Sequence, residues 1–348
     1  MTNQGPVNAT AATKSPAVET LEYIYWVASY IYYVPTVIGV PGNIMSILVT
    51  MQKDNRRIST SVYMTALAVV DTLTLLVGNS AALASYGPLR DWLHGDMSKY
   101  FEACWYLAYT TAILSGFFLM EMTIDRLIVV RYPMAAARLC TSKRARWTVL
   151  ITTGVIMALN ANMIWIFKYQ YDPETKAESV LPHRPDSPQL EVFASMFQLV
   201  FGTLLPFFVI LTMNLWIIYT VKQAAAKQRH LTSATKTSGD EKRKQEMSHL
   251  TRMLILVSAG YVVCSIPMRI DEVVMDLDII KEIYIEGDVY WNIRSLTIYV
   301  ILSDLWLMNF AVNFYLYCIG GKKFRKDALM ILKGLGNPRK YKLASHYR

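Results

Sequence analysis

Long apolar runs alternate with short polar ones along most of the chain. Each apolar run is about 20 to 30 residues long, the length at which an α-helix crosses the hydrocarbon of a bilayer. Seven such runs are read, at about 23–51, 61–85, 100–130, 146–167, 192–221, 250–275 and 297–319. A shorter amphipathic segment, 322–332, follows the last. The pattern predicts an all-α membrane protein: a seven-transmembrane helix bundle with a short amphipathic helix after it. The expected divisions are a tail over 1–20, the bundle over 21–320, and the final helix and tail over 321–348.

Composition agrees. Of 348 residues, 53% are hydrophobic and 18% charged, with a mean hydropathy of +0.27, more apolar than a soluble domain. The net charge of +9 is unevenly placed. Lys53, Arg56 and Arg57 follow the first run. Arg131, Arg138, Lys143, Arg144 and Arg146 follow the third, and Lys222 to Lys244 the fifth. The alternate loops and the N-terminal segment are poorer in Lys and Arg, which predicts an extracellular N-terminus and a cytoplasmic C-terminus. The same bias accounts for the charge through membrane lipid, so no nucleic acid partner is expected. Residues 1–20 lack the pattern of a cleavable signal peptide, and the first span is expected to act as its own anchor. Asn8 opens an Asn-Ala-Thr glycosylation sequon. The stretch 222–246, rich in Lys, Gln, Ser and Thr, reads as a mobile loop with room for helical extensions at each end.

Polar groups deep in a span are costly and mark function. Asp71 and Ser115 sit mid-span, and Asn309 and Asn313 share a helix face four residues apart. Together they could coordinate a small hard cation such as sodium, or join helices by hydrogen bonds. Pro206 and Pro267 each remove a backbone hydrogen bond and supply a bend. In Phe118 to Pro133 an acid and a base, Asp125 and Arg126, stand side by side at the end of an apolar run.

These residues carry a resemblance. Residues 22–332 resemble a rhodopsin-like (class A) G protein-coupled receptor. Asp125-Arg126 resembles that family's acid-Arg-Tyr motif, and Gly42-Asn43 and Asp71 its first- and second-helix motifs. Trp147, Pro206 and Pro267 fall at its fourth-, fifth- and sixth-helix positions. Asn313 and Tyr317 match the ends of its Asn-Pro-x-x-Tyr motif. The resemblance implies a plasma-membrane receptor, not an enzyme, with a heterotrimeric G protein, arrestin and a receptor kinase as partners. It implies that Asp125 neutralises Arg126 at rest, and that Arg126 meets the G protein once the sixth helix swings out. It also implies that Tyr317 turns inward to support that open state. An allosteric sodium ion at Asp71, Ser115, Asn309 and Asn313 is the one cofactor it suggests. The switch residues are then Asp125, Arg126, Asn313, Tyr317, Pro206, Tyr261 and Pro267.

The chain departs from the family in places. Leu127 stands for the tyrosine after Arg126, Ser265 for the sixth-helix tryptophan, and Tyr261 for a phenylalanine. Phe314 replaces the seventh-helix proline, so less of a bend is expected there. The resting partner of Arg126 falls at Met247, with the acid displaced to Glu246, so a weak lock and measurable basal signalling are expected. Of the four cysteines, Cys104 has no partner in the loop between the fourth and fifth runs, and the family's bridging position is Phe101. No outer-loop disulfide is expected, and Cys104 reads as a small buried residue.

Several ligand classes are disfavoured. Leu305, Trp306 and Leu307 leave no lysine for retinal, and Ala108 stands where amine receptors place an aspartate. The acids from Asp271 to Asp288 favour a basic peptide. The stretch Asn309 to Lys326 also resembles the same region of invertebrate neuropeptide receptors, RFamide-type among them. The candidate ligand contacts are Tyr109, Gln198, Met268, Arg269, Glu272, Asp276, Tyr299 and Ser303. Arg269 could hold a ligand carboxylate or carbonyl, or pair internally with Asp271 or Asp304. A lipid or other small non-amine ligand remains the alternative. A transporter would need inverted repeats or broken helices, which are not seen, and the five histidines have no ligand spacing.

Overall fold

The computed structural model describes residues 20, 23–24, 26–27, 30–86, 98–162, 168–172, 177–181, 196–230, 253, 255–271, 274 and 289–336. Within them the chain is a bundle of long helices. The first is Tyr33–Thr50, the second Ser59–Tyr86 and the third Ser98–Arg131. A short helix, Pro133–Leu139, leads to the fourth, Ser142–Leu159, which Thr141 caps by accepting from the Arg144 N–H. The fifth is a wide π-turned segment, Gln198–Leu204, continued by Leu205–His230. The sixth covers residues 255–271. The seventh is Val289–Ala311 and Asn313–Gly320, and the eighth Lys322–Gly336.

Tyr33–Thr50, Ser59–Ser80 and Gln198–Gln223 are each long and apolar enough to cross a membrane, and the two halves of the seventh helix make a fourth if they are one span. The outward faces of the bundle's helices are apolar: Val37, Leu150, Ile151, Phe208, Leu215 and Ile301 are exposed, while Asn43, Asp71, Ser115 and Asn313 are buried. Such a surface belongs against lipid. Hydroxyls along the helices, such as those of Thr72, Thr123, Thr153 and Thr212, donate to the carbonyl four residues back. A threonine can thus sit in an apolar span with no donor left over. The third helix is the central post. Ile113, Phe118 and Met122 are almost wholly buried, and it packs on the second, fourth and fifth helices.

Three local features were not read from the sequence. The fourth helix, expected to run to 167, gives way after Leu159 to a tight turn, Asn160–Asn162, and 163–167 lie outside the described residues. The loop beyond it holds an antiparallel hairpin, Lys168–Asp172 with Ala177–Leu181. The seventh helix, expected to bend less without its proline, bends by 53°. A tertiary contact sits at the break. Asn43 of the first helix donates its amide to the Phe310 carbonyl at 3.1 Å, the group to which the Phe314 N–H would otherwise be directed. A side chain inserted into the helical ladder kinks it as a proline would.

All four cysteines are free, and Cys104 is buried with its sulfur 3.8 Å from the Ser80 hydroxyl. Cys104→Ser is therefore expected to reach the cell surface at the wild-type level, and mild reductant to leave ligand binding unchanged. Non-reducing mass mapping that found an internal Cys104 bridge would show the opposite.

Candidate functional site

Three of the four mid-span polar groups form one connected set. Asp71 is fully buried. Its two oxygens accept from the Ser115 hydroxyl at 2.6 Å and the Asn313 amide at 2.7 Å. Three helices thus meet on one carboxylate. Asn309, one turn before Asn313, is buried but lines a neighbouring cavity. As a donor set these residues fit a small hard cation: a carboxylate, a hydroxyl and amide oxygens, all of the oxygen type such ions take. They fit hydrogen-bonded glue equally, since both carboxylate oxygens already have donors.

Towards the opposite end from the eighth helix lie two cavities that share Trp306 as a wall. The smaller, about 10 Å3, is walled in part by Gln198, Tyr261, Ser265, Arg269 and Asn309. The larger, about 60 Å3, is walled in part by Trp105, Tyr109, Met268, Tyr299 and Ser303. Six residues singled out as ligand contacts therefore line two adjoining spaces. Gln198 is fixed by a chain from the fifth helix to the third through the turn after the fourth: it donates to Asn160 at 3.1 Å, which donates to Thr110 at 2.7 Å. The π turn at Gln198–Leu204 leaves Gln198 and Thr203 buried.

Arg269 is buried, and its guanidinium lies 5.1 Å from the Trp306 ring centre. A cation over an indole face is held by the ring quadrupole. One buried oxygen of Asp271 and one of Asp304 have no hydrogen-bond partner. Ser265, where the family carries tryptophan, leaves its buried hydroxyl without a partner at the edge of the smaller cavity.

At the eighth-helix end, Asp125 and Arg126 are both buried, and each bonds to the start of the second helix. Asp125 accepts from Ser59 at 2.9 Å and Thr60 at 3.3 Å. Arg126 donates to the same Thr60 hydroxyl, and its Nε has no partner. Thr60 thus bridges the pair by hydrogen bonds, while the Asp125 charge also acts on Arg126. Ser59 and Thr60 were not anticipated; the Ser-Thr-Ser opening of the second helix was the available signal. Burial pushes the nearby Cys140 thiol up to about 12, helped by the Asp125 charge, and its Sγ lies 3.6 Å from the Asp125 carbonyl. Tyr317, expected to turn inward on activation, is already buried, its ring edge-on to Phe324 at 5.4 Å and its hydroxyl without a partner. Pro267 lies in the sixth helix between Tyr261 and Arg269. Trp147 faces outward, 58% exposed. Asn8, Glu246, Met247, Glu272 and Asp276 lie outside the described residues.

Comparison with known proteins gives this geometry its setting. The family described as "7 transmembrane receptor (rhodopsin family)" matches residues 42–319. The chain is similar to the FMRFamide receptor of Drosophila melanogaster, 21% identical over 328 residues, which is 91% of this chain and 56% of that receptor. The chain thus spans little more than half of that relative's length. It is also similar to cysteinyl leukotriene receptor 1 of Homo sapiens, 24% identical over 275 residues, 79% of this chain and 76% of that one. With the thyrotropin-releasing hormone receptor of Homo sapiens it shares 28% over 147 residues, 41% of this chain and 35% of that one. With the profile covering most of the bundle and the buried acid, the acid-arginine pair and the bent seventh helix in their places, the chain belongs to the rhodopsin family of seven-transmembrane receptors.

Proposed function

We propose that this protein is a plasma-membrane receptor that binds a short basic peptide outside the cell and activates a heterotrimeric G protein inside it. The observation that carries this reading is the pairing of two sites in one bundle. A lined cavity stands at one end, and a buried arginine tied to Thr60 at the other. Agonist tilts the bundle towards a state in which the sixth helix has moved out and Arg126 is free. The Lys and Arg bias of the loops supports a cytoplasmic eighth-helix end. Arrestin and a receptor kinase are the further partners that membership of the family implies.

The acids from Asp271 to Asp288 support a basic ligand. Glu272 and Asp276, four residues apart, would present two carboxylates to a guanidinium if the helix continues. Arg269, deeper, would receive a carbonyl or carboxylate of the same ligand. Two of the relatives are named for FMRFamide and thyrotropin-releasing hormone, which are peptides. A lipid ligand is the second reading, favoured by the aromatic and aliphatic wall of the larger cavity and by the relatives named for cysteinyl leukotriene.

A calcium and cyclic-AMP screen of a peptide library against expressing cells is the direct test. Glu272→Lys and Asp276→Lys are expected to weaken a basic peptide by roughly tenfold or more, and changing the peptide's Arg to Glu to recover part of the loss. Potency within twofold for both reversals, or a lipid agonist, favours the second reading.

We also propose that Asp71, Ser115, Asn309 and Asn313 hold sodium in the resting state. By linkage, sodium then lowers agonist affinity. Replacing it with a bulky organic cation at constant ionic strength is expected to raise affinity, and Asp71→Asn to remove the response. An unchanged affinity assigns the cluster to helix packing alone.

A further inference from the structure

The fifth helix has a fault in its backbone ladder that the sixth helix fills. The Leu205 N–H reaches back five residues to the Val200 carbonyl, the wide spacing of a π turn. The next residue, Pro206, has no N–H to return. Gly202, four residues before it, takes a bond from outside its own helix: the Tyr261 hydroxyl donates to its carbonyl at 3.0 Å. Tyr261 is only 4% exposed, so water does not compete for the site.

The surroundings are cut to fit that hydroxyl. A Cβ on Gly116 of the third helix would stand 3.1 Å from the phenol oxygen and 3.5 Å from Pro206. The glycine thus leaves the space that the extra oxygen of a tyrosine needs. Tyr261 lies on the eighth-helix side of Pro267, in the half of the sixth helix that a bend there would carry. That half is closed in this structure. Met253 is buried, and a Cβ on Gly320 would collide with the Met253 backbone.

We propose that the Tyr261 hydroxyl is a latch: it holds the lower half of the sixth helix to the Gly202 carbonyl, and this bond must break for that half to move outward. This rests on the reading that such movement is how the receptor signals. Tyr261 is a positioning residue, acting on the switch at Arg126 through movement of the sixth helix.

The test is Tyr261→Phe in the purified full-length receptor, which removes one oxygen and keeps the ring. Hydrogen exchange of backbone amides in 255–262 is expected to quicken roughly threefold to tenfold, as loss of one neutral hydrogen bond would allow. Gly116→Ala, which crowds the phenol oxygen, is expected to act in the same direction and to add little in the Phe background. Exchange within twofold of wild type in Tyr261→Phe overturns the latch. Ligand-free nucleotide exchange, measured in parallel on one Gα of each class, reads the signalling step separately. Faster amide exchange with no rise on any Gα keeps the latch and counts against outward movement as the signal.

Discussion

Arg126→Ala is expected to abolish G protein coupling while leaving the receptor at the cell surface. The guanidinium is buried but tied to the bundle by one hydroxyl, that of Thr60, and its Nε has no partner. Asp125 keeps its bonds to Ser59 and Thr60 when the guanidinium is removed, so the carboxylate stays satisfied. Agonist-stimulated nucleotide exchange should fall by roughly a hundredfold or more, as when a charged group at the centre of an interface is truncated. Thr60→Ala should act in the opposite sense. It frees Arg126 and takes one donor from Asp125, so ligand-free exchange should rise about threefold to tenfold, the scale of one hydrogen bond to a charged group. Robust coupling by Arg126→Ala at matched surface expression would mean that the arginine serves the fold instead.

The largest effect on stability is expected from Gly39→Val. A Cβ at Gly39 would lie 2.5 Å from a Leu75 methyl and 2.7 Å from the Ala311 Cα. The second contact is backbone and cannot be relieved by a rotamer change. The first and seventh helices would have to separate where Asn43 grips the Phe310 carbonyl. Overpacking of this kind costs about 3 kcal/mol, and a valine adds bulk beyond the Cβ. Surface expression should fall sharply, and the melting temperature of what is recovered by roughly 5 °C or more. A melting temperature equal to wild type would show that the helices are not held as closely as described.

The alternation of apolar and polar runs, the loop basic residues and the order of motifs made the bundle and its family legible before any coordinates. Span length and burial preference are properties of the chain read in one dimension. Asp71, Ser115 and Asn313 could likewise be grouped, because a polar side chain in a span has few places to go. Six of the eight expected ligand contacts line the two cavities for a similar reason: facing positions repeat with the helical period.

The features that escaped reading depend on which atoms of different helices meet. The seventh-helix bend could not be inferred from Phe314, because the contact found at the break comes from an amide more than two hundred residues earlier, reaching Phe310. The role of Thr60 between Asp125 and Arg126 was hidden because the second and third helices must pack before the hydroxyl and the guanidinium are neighbours. Trp306 passed as the residue that rules out a retinal lysine, and only the packed bundle makes it the wall between two cavities and the platform for Arg269. Local sequence sets where a backbone can bend and which side chains must be buried. Only the assembled bundle selects the partner for each buried polar group, because that choice depends on distances of a few ångströms between segments far apart in the chain.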